Sequence, residues 1–443
     1  MIKISVNLKT KLKSGVLSRL LYTLNFIQNH PCAPKVIWAI NEDGADITVD
    51  YGNSGDGVNI PKIERFCFEN EISTLPKHIL LTYSEEFQVY GFTTEKEENN
   101  LASPIDIFQT IFFHISRYEE WFSYDAKKDI HGLMSSEEHF LVRHHIHDLP
   151  VVDHLVFYLY ELLSLNPKQL RTSFRLTHDI DAIRRFPTFY KFIRANANVI
   201  FYQKSKWLLL KRLWTTYFKV VLNDENDPYD TFSWLLSTKN PNIVDRKIYF
   251  LSGGKTKYEN FFKVNDPKCT PIFKISAENH YDIGIHPSYL SGQNATMIQN
   301  EKSTLEQNIN QKVAHSRQHF LRYHIKETSK ILEKIGISSD SSLGYRNKTG
   351  FRCGTGFPYK LYNFDSERPF DFVEIPLIVM DMAVIHQVGW NADLFISHVD
   401  NFLKKNHHFT QITFNFHNST FDPILVDAQK LKSYYLDLFD STL

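Results

Sequence analysis

Residues 172–181 read Thr-Ser-Phe-Arg-Leu-Thr-His-Asp-Ile-Asp. A short β-rich run over 172–177 stops on Thr177-His178-Asp179-Ile180-Asp181, so polar, titratable groups stand where an apolar strand ends. The same pattern recurs downstream. Strands are predicted over 247–251, 282–286, 340–345, 372–379 and 411–416, with helices over 229–238, 301–334 and 392–405. Strands alternating with helices imply βαβ units, and about six of them favour a distorted or incomplete (β/α) barrel over residues 169–443. A flat doubly wound sheet is the alternative.

Upstream the pattern differs. Residues 1–30 read as an amphipathic helix, 36–51 as a hairpin around an acidic Gly turn, and 104–122 and 150–166 as helices, the last opened by Pro150. The Leu-Asn-Pro-Lys-Gln-Leu-Arg-Thr-Ser stretch has linker character and places a domain boundary near residue 168. Residues 1–168 then form an additional α+β domain of unknown role.

Composition narrows the classes. The 443 residues are 42% hydrophobic and 23% charged, an ordinary globular mix. Lysine plus arginine and aspartate plus glutamate number 50 each, which excludes a generic nucleic-acid binder. Cys32, Cys67, Cys269 and Cys353 are scattered, so neither a zinc ribbon nor a disulfide framework is predicted, and a reducing compartment fits. No apolar run is long enough to span a bilayer. The basic start is broken by Arg19 and Asn25 and reads as no export signal, so a cytoplasmic protein is expected, with a peripheral place at the membrane as the variant.

One segment departs from neutrality. From Ala182 to Asn223 there is no acidic residue, while Arg184, Arg185, Lys191, Arg194, Lys204, Lys206, Lys211, Arg212 and Lys219 are interleaved with aromatics. The bland reading is a helical insertion over 184–223 that packs its aromatics on the barrel. The sharp one is a surface for anionic lipid headgroups or for a phosphorylated or lipid-linked substrate.

In α/β barrels, chemistry sits at the C-terminal ends of strands. Those ends carry Asp179 and Asp181, then His286, then Tyr345-Arg346 leading to Arg352, then Glu374 and Asp381, then His417. These are the parts of a metal-assisted hydrolase. A divalent cation takes carboxylate and imidazole ligands and lowers the pKa of bound water. A second carboxylate serves as base, a histidine protonates the leaving group, and an arginine steadies charge.

The ordered set Thr177-His178-Asp179-Ile180-Asp181, Ile283-Gly284-Ile285-His286-Pro287-Ser288, Arg352 in a Gly-rich turn and Phe416-His417 resembles the polysaccharide deacetylases, the nodulation-type carbohydrate esterases. The runs Ser116-Arg117-Tyr118-Glu119-Glu120-Trp121, Ser316-Arg317-Gln318-His319-Phe320-Leu321-Arg322 and Gly350-Phe351-Arg352-Cys353-Gly354-Thr355 look like a long bacterial branch with an extra N-terminal region. The resemblance implies a distorted barrel, a zinc-like metal and removal of an acetyl group from a sugar. It implies Asp179 as base, Asp181 and His286 as metal ligands, Arg352 orienting the base and His417 as general acid. Tyr345, Arg346, Glu374 and Asp381 are expected at the substrate. The chain departs from the family pattern in two places: Ile180 separates the aspartates, and Leu290 stands where a second histidine ligand is usual. His319, at the start of a predicted long helix, is the expected third ligand, with His280 and His315 as rivals.

Plainer readings stand beside these. The two aspartates could cap a helix; His286 and His319 could be structural, and Arg352 could sit in a buried salt bridge. Trp390 reads as core rather than as a sugar platform. His139, His144, His145, His147 and His154 read as a solvated or interdomain surface. Three functions compete. The first is a metal-dependent hydrolase of an acetylated sugar or glycan precursor, nucleotide- or lipid-linked. The second is a catalytically inactive relative that binds carbohydrate or serves assembly. The third is a hydrolase of cyclic amides or ureides.

Overall fold

The computed structural model describes residues 1–8, 13–52, 55–69, 75–84, 87–94, 101–122, 126–202, 206–223, 227–259, 262–408 and 410–439. Lys204 lies outside the described residues. The chain forms two compact units. Residues 1–172, 351–376 and 406–411 make the first, and 173–350, 377–405 and 412–443 the second.

The first unit opens on a strand, not a helix. Ile2–Asn7 alternates apolar and polar residues, with Ile4 and Val6 wholly buried. The helix Ser14–Asn29 follows and buries Val16, Leu20, Leu24 and Ile27. Val36–Ile40 and Ile47–Tyr51 are strands as expected, but they do not pair as a hairpin. Each runs parallel to Ile2–Asn7, which lies between them, and Val58–Ile60 extends the sheet beyond Ile47–Tyr51. The N-terminal strand, helix and second strand are one βαβ unit, and a parallel neighbour is what the crossover helix permits. The predicted helix 104–122 is two, Ile107–Ile115 and Tyr118–Phe122, broken at Arg117, whose φ is +55°. The Asp106 carboxylate caps the first by accepting from Gln109 N at 3.0 Å. The helix at 150–166 spans Val151–Leu162.

In the second unit seven strands lie side by side in the order Ser339–Asp340, His315–Ser316, Asp282–His286, Ile243–Leu251, Ser173–Ile180, Gln411–Asn415, Val379–Met380. The pairings among the first five, and that of the last two, are parallel. Chain order is kept around the sheet, as in a (β/α) barrel, and among the described residues the sheet does not close on itself. It is an incomplete, distorted (β/α) barrel. Its strands are wholly buried where they are longest: Leu176, Ile180, Ile248, Phe250, Ile285, Ile412 and Phe414 are fully enclosed, and Phe250 packs on Phe273 of the helix Cys269–Glu278 and Phe414 on Phe439.

Three details differ from expectation. The strand expected at 340–345 is Ser339–Asp340, and 372–379 holds Val373–Glu374 and Val379–Met380 rather than one strand. The helix predicted over 301–334 is interrupted. Ala295–Ile309 ends at Asn310 in the left-handed conformation (φ +53°), a conformation asparagine tolerates; His315–Ser316 then joins the sheet, and only Glu327–Lys334 is helical again. The insertion 184–223 forms two helices, Phe189–Tyr202 and Lys206–Leu222. Among the described residues no helix is long and apolar enough to cross a membrane.

Candidate metal centre

The register places the chemistry. Along Ser173–Ile180 successive side chains alternate faces, so His178 and Asp179 point opposite ways. His178 is buried with its Nδ1 3.0 Å from Phe416 O, and Tyr281 and Tyr435 hydroxyls near its Nε2; burial first of all pushes its pKa down to about 4. It is a packed neighbour rather than a ligand.

Asp179 faces the other way, into a buried polar network. Arg317 Nη1 donates to its Oδ1 at 3.0 Å and Asn415 Nδ2 to its Oδ2 at 2.9 Å. The Arg317 guanidinium is itself fully enclosed. It also donates to Thr177 Oγ1, Asn415 Oδ1, Ser341 O and Ser341 Oγ, each at 2.8 Å, and lies over the Tyr249 ring. Burial alone would raise the Asp179 carboxyl, but Arg317 foremost, then His286 and His417, hold it below the usual carboxylate value.

Asp181 stands just beyond the strand end. Its Oδ1 lies 3.2 Å from His286 Nε2 and 3.7 Å from His319 Nε2. Ligand atoms of Asp181, His286 and His319 all fall within 4.8 Å of one another, and no other such group of histidine, cysteine or acidic side chains occurs among the described residues. His286 ends its strand, and its Nδ1 sits 2.6 Å from Arg317 O. That carbonyl can only accept, so Nδ1 carries a proton and Nε2 is the atom turned toward Asp181; burial opposes a charge on the ring, yet Asp179 first, then Asp181, raise its pKa. His319 reaches the group from a 3₁₀ turn, His319–Leu321, after the short strand His315–Ser316, and not from the start of a long helix. Burial drives its pKa down to about 4 against the pull of Asp181. Asp181 is held well below the usual carboxylate value, with His319 and His286 outweighing burial.

These residues fit a divalent cation. Asp181 Oδ1 is buried without a hydrogen bond of good geometry, and the Nε2 atoms of both His286 and His319 stand toward it at 3.2 and 3.7 Å, a cluster of ligand atoms that a cation would satisfy. One carboxylate and two imidazoles form the mixed oxygen–nitrogen set that zinc and its neighbours take. Of the rivals, His315 Nδ1 pairs with Ser339 Oγ at 2.8 Å and His280 is exposed. Leu290 is 52% exposed and offers no ligand.

His417 completes the group from the other side. Its Nε2 is 3.7 Å from Asp181 Oδ2 and 3.9 Å from Asp179 Oδ2. Its Nδ1 is 2.7 Å from Asp381 Oδ1, and its backbone N–H donates to Asp381 Oδ2 at 2.6 Å. Burial disfavours the imidazolium, yet Asp381 first, then Asp181 and Asp179, lift its pKa to about 10.

Several expectations need correction. Asp381 is buried against His417, Thr420 and the backbone of Met382, behind the imidazole. Tyr345 is buried, and half-buried Arg346 extends its Nη1 to 3.5 Å from Phe320 O. Arg352 belongs to the first unit. There its guanidinium grips Glu120, with Nε to Oε1 at 3.0 Å and Nη2 to Oε2 at 2.6 Å. The arginine on Asp179 is Arg317, two residues before His319 and outside the expected set. Glu374 is also in the first unit, wholly buried, its backbone bonded both ways to Tyr359. In the histidine-rich region His139 and His154 are buried, not solvated: His139 Nδ1 is 3.3 Å from Glu119, and His154 Nδ1 is 2.9 Å from Gln88 O. Trp390 is 37% exposed and so is not core.

Beside His319 lies an aromatic cluster. The Tyr258 and Tyr289 rings sit 4.2 Å apart, and Phe320 meets them at 5.1 and 5.8 Å and His319 at 4.5 Å. Phe320 is 36% exposed, and its φ of +58° lies in the left-handed region. A bulky residue there stores on the order of 1–3 kcal/mol, and such strain concentrates at working sites.

Comparison with known proteins adds three facts. Residues 10–167 match a family of unknown function, DUF7033. No curated protein matches the sequence. Among solved structures, a Mycobacterium smegmatis protein described as a polysaccharide deacetylase aligns at 11% identity over 61% of this chain and 85% of its own, with a TM-score of 0.33. A mutant of a CE4-family pseudoenzyme with restored enzymatic activity aligns at 12% identity over 60% of this chain, with a TM-score of 0.27. This chain spans 63% of that second protein. The chemistry of the second unit is therefore read from its own residues.

Proposed function

We propose that the second unit is a metal-dependent hydrolase that removes an acetyl group from an N- or O-acetylated sugar or glycan precursor. The observation that carries this reading is the convergence of Asp181, His286 and His319 within 4.8 Å, with Asp179 and His417 beside them. Asp181, His286 and His319 would hold the cation, zinc by its donor set. When bound, a cation of this kind polarises the acyl oxygen and lowers the pKa of water. Asp179, kept ionised by Arg317 and aimed by Asn415, is placed to take the proton of the attacking water. His417, kept protonated by Asp381, is placed to give a proton to the departing nitrogen or oxygen of the sugar. Arg317 is a positioning residue, because it touches Asp179 rather than substrate.

The sugar, rather than a cyclic amide or ureide, is favoured by Tyr258, Tyr289 and Phe320. Phe320, exposed, and half-buried Tyr258 and Tyr289 beside His319 suit the flat apolar face of a pyranose. The binding-only alternative rested on Leu290; with His319 in the group that argument loses its ground. The test is turnover. Purified protein loaded with zinc is offered acetylated amino sugars, acetylated sugars and small cyclic amides, and released acetate or ring-opened product is measured. Acetate released from the sugars, and lost in Asp179→Asn, supports the reading. Glycan binding without turnover at full metal loading selects the inactive alternative, and ring opening selects the third.

A further inference from the structure

The paired helices Phe189–Tyr202 and Lys206–Leu222 carry a surface that the proposed hydrolysis leaves unused. Their shared inner face is well made. Phe192 stacks on Tyr217 with centroids 3.9 Å apart and meets Trp214 edge-on at 4.9 Å; Phe186, Phe192, Leu213 and Ile424 are buried together. Their base is fastened within the second unit. Arg184 donates to Asp266 at 2.6 and 3.0 Å, Arg185 Nε is 2.5 Å from Asp422 Oδ2, and Arg185 N donates to the Asp227 carboxylate at 3.0 Å.

The outer face is the unusual part. At about 100° per residue, Trp207, Trp214, Phe218, Val221 and Leu222 fall on one arc of the second helix, turned away from buried Leu213; Trp214, 44% exposed, gives one edge to Phe192 and the rest to the outside. All five are exposed, Trp207 at 87% and Leu222 at 86%. Lys211 lies within that arc, and Arg212 and Lys219 lie together beyond one side of it. The first helix repeats the pattern: Phe189, Ile193 and Ile200 share an arc, with Tyr190 and Arg194 beside it, all exposed. No carboxylate interrupts residues 182–223. Two helices presenting exposed apolar stripes, with every charge in the segment a cation, form a surface suited to lying in a lipid interface. Neither could cross a bilayer.

We propose that this helix pair docks the protein on the anionic face of a lipid bilayer, Trp207, Trp214 and Phe218 entering the interface while Lys211, Arg212 and Lys219 meet the headgroups. The cations argue for lipid over a second copy of this chain, since two such faces would repel each other. The proposal is independent of what the metal centre hydrolyses.

The test is flotation of the full chain with vesicles of phosphatidylcholine alone or mixed with phosphatidylglycerol, with tryptophan emission read in parallel. Each cation near an anionic surface adds about fivefold to partitioning. Wild type should therefore bind mixed vesicles at least tenfold better than neutral ones, with a blue shift of emission. The Lys211→Ser/Arg212→Ser/Lys219→Ser variant should lose about 100-fold. The Trp207→Ser/Phe218→Ser variant should lose the binding that persists at high salt. All changed residues are exposed, and an unchanged far-UV spectrum certifies each fold. Equal binding to both vesicles, wild-type binding by the charge variant, or self-association abolished by Trp207→Ser without vesicle binding would each overturn the proposal.

Discussion

Replacing Arg317 by Met removes the guanidinium and leaves a side chain of similar volume. Five donor contacts disappear: those to Thr177, Asp179, Asn415 and the Ser341 carbonyl and hydroxyl. The Asp179 carboxylate stays buried with Asn415 as its remaining donor. Breaking one side of an enclosed ion pair costs about 3–5 kcal/mol, because the other charge is stranded. The pH dependence has a definite sign. In the wild type the Asp179 pKa is lowered, so its pairing stabilises the fold above the ordinary carboxylate value of about 3.9 and is lost as pH falls through the folded value. Without Arg317, burial prevails and the folded pKa rises. The variant then loses stability as pH rises, and the gap to wild type widens from about pH 4 to neutrality. Arg317→Lys restores a charge without the fork and should lie between the two. The assay is urea unfolding of chelator-treated protein at a series of pH values, which keeps metal linkage out of the comparison. A gap below about 1 kcal/mol at neutral pH, or one independent of pH, would refute the reasoning.

Three further outcomes follow from the same structure. Asp381→Asn removes the charge behind His417 and should lower turnover of the acetylated sugar by about 10²–10⁴-fold with metal content unchanged, measured by acetate release and elemental analysis. Phe320→Ala should raise KM for an acetylated sugar several-fold and leave hydrolysis of a small acetyl ester intact; equal losses on both would remove the stacking role. In the first unit, burial opposes the charge on His30, but Cys32 and Asp153 lift its pKa to about 9. A raised pKa stabilises below the unfolded value of about 6.5 and is lost as pH climbs through the folded one, so wild type should shed on the order of 3 kcal/mol across that window while His30→Gln stays flat in denaturant titrations.

The second unit's architecture was legible because its strands announce themselves: buried apolar runs stop abruptly on polar residues at 177–181, 286 and 417. Asp179, Asp181, His286 and His417 come together because parallel strands in chain order bring those ends to one edge of the sheet. Local pattern was a poorer guide where tertiary context decides. Ile2–Asn7 alternates like a strand, yet it runs into the apolar helix Ser14–Asn29 and merges with it by composition. His315–Ser316 is two residues long, too short for any periodicity, and Asn310 alone marks the break before it. That short strand is what carries both Arg317 and His319 to the site. Arg317 meets Asp179 across 138 positions of sequence, so no spacing rule links them. Arg352 sits in a glycine-rich turn that resembles a motif, but nothing in its neighbourhood shows that residues 351–376 return to the first unit.

The central claim is that Asp181, His286 and His319 bind a cation despite Leu290. The most direct test is metal content by elemental mass spectrometry after zinc loading and desalting, on wild type, His286→Ala and His319→Ala. One equivalent in wild type, lost in both variants, is the predicted result. No bound metal in wild type, or full retention in His319→Ala, would contradict it.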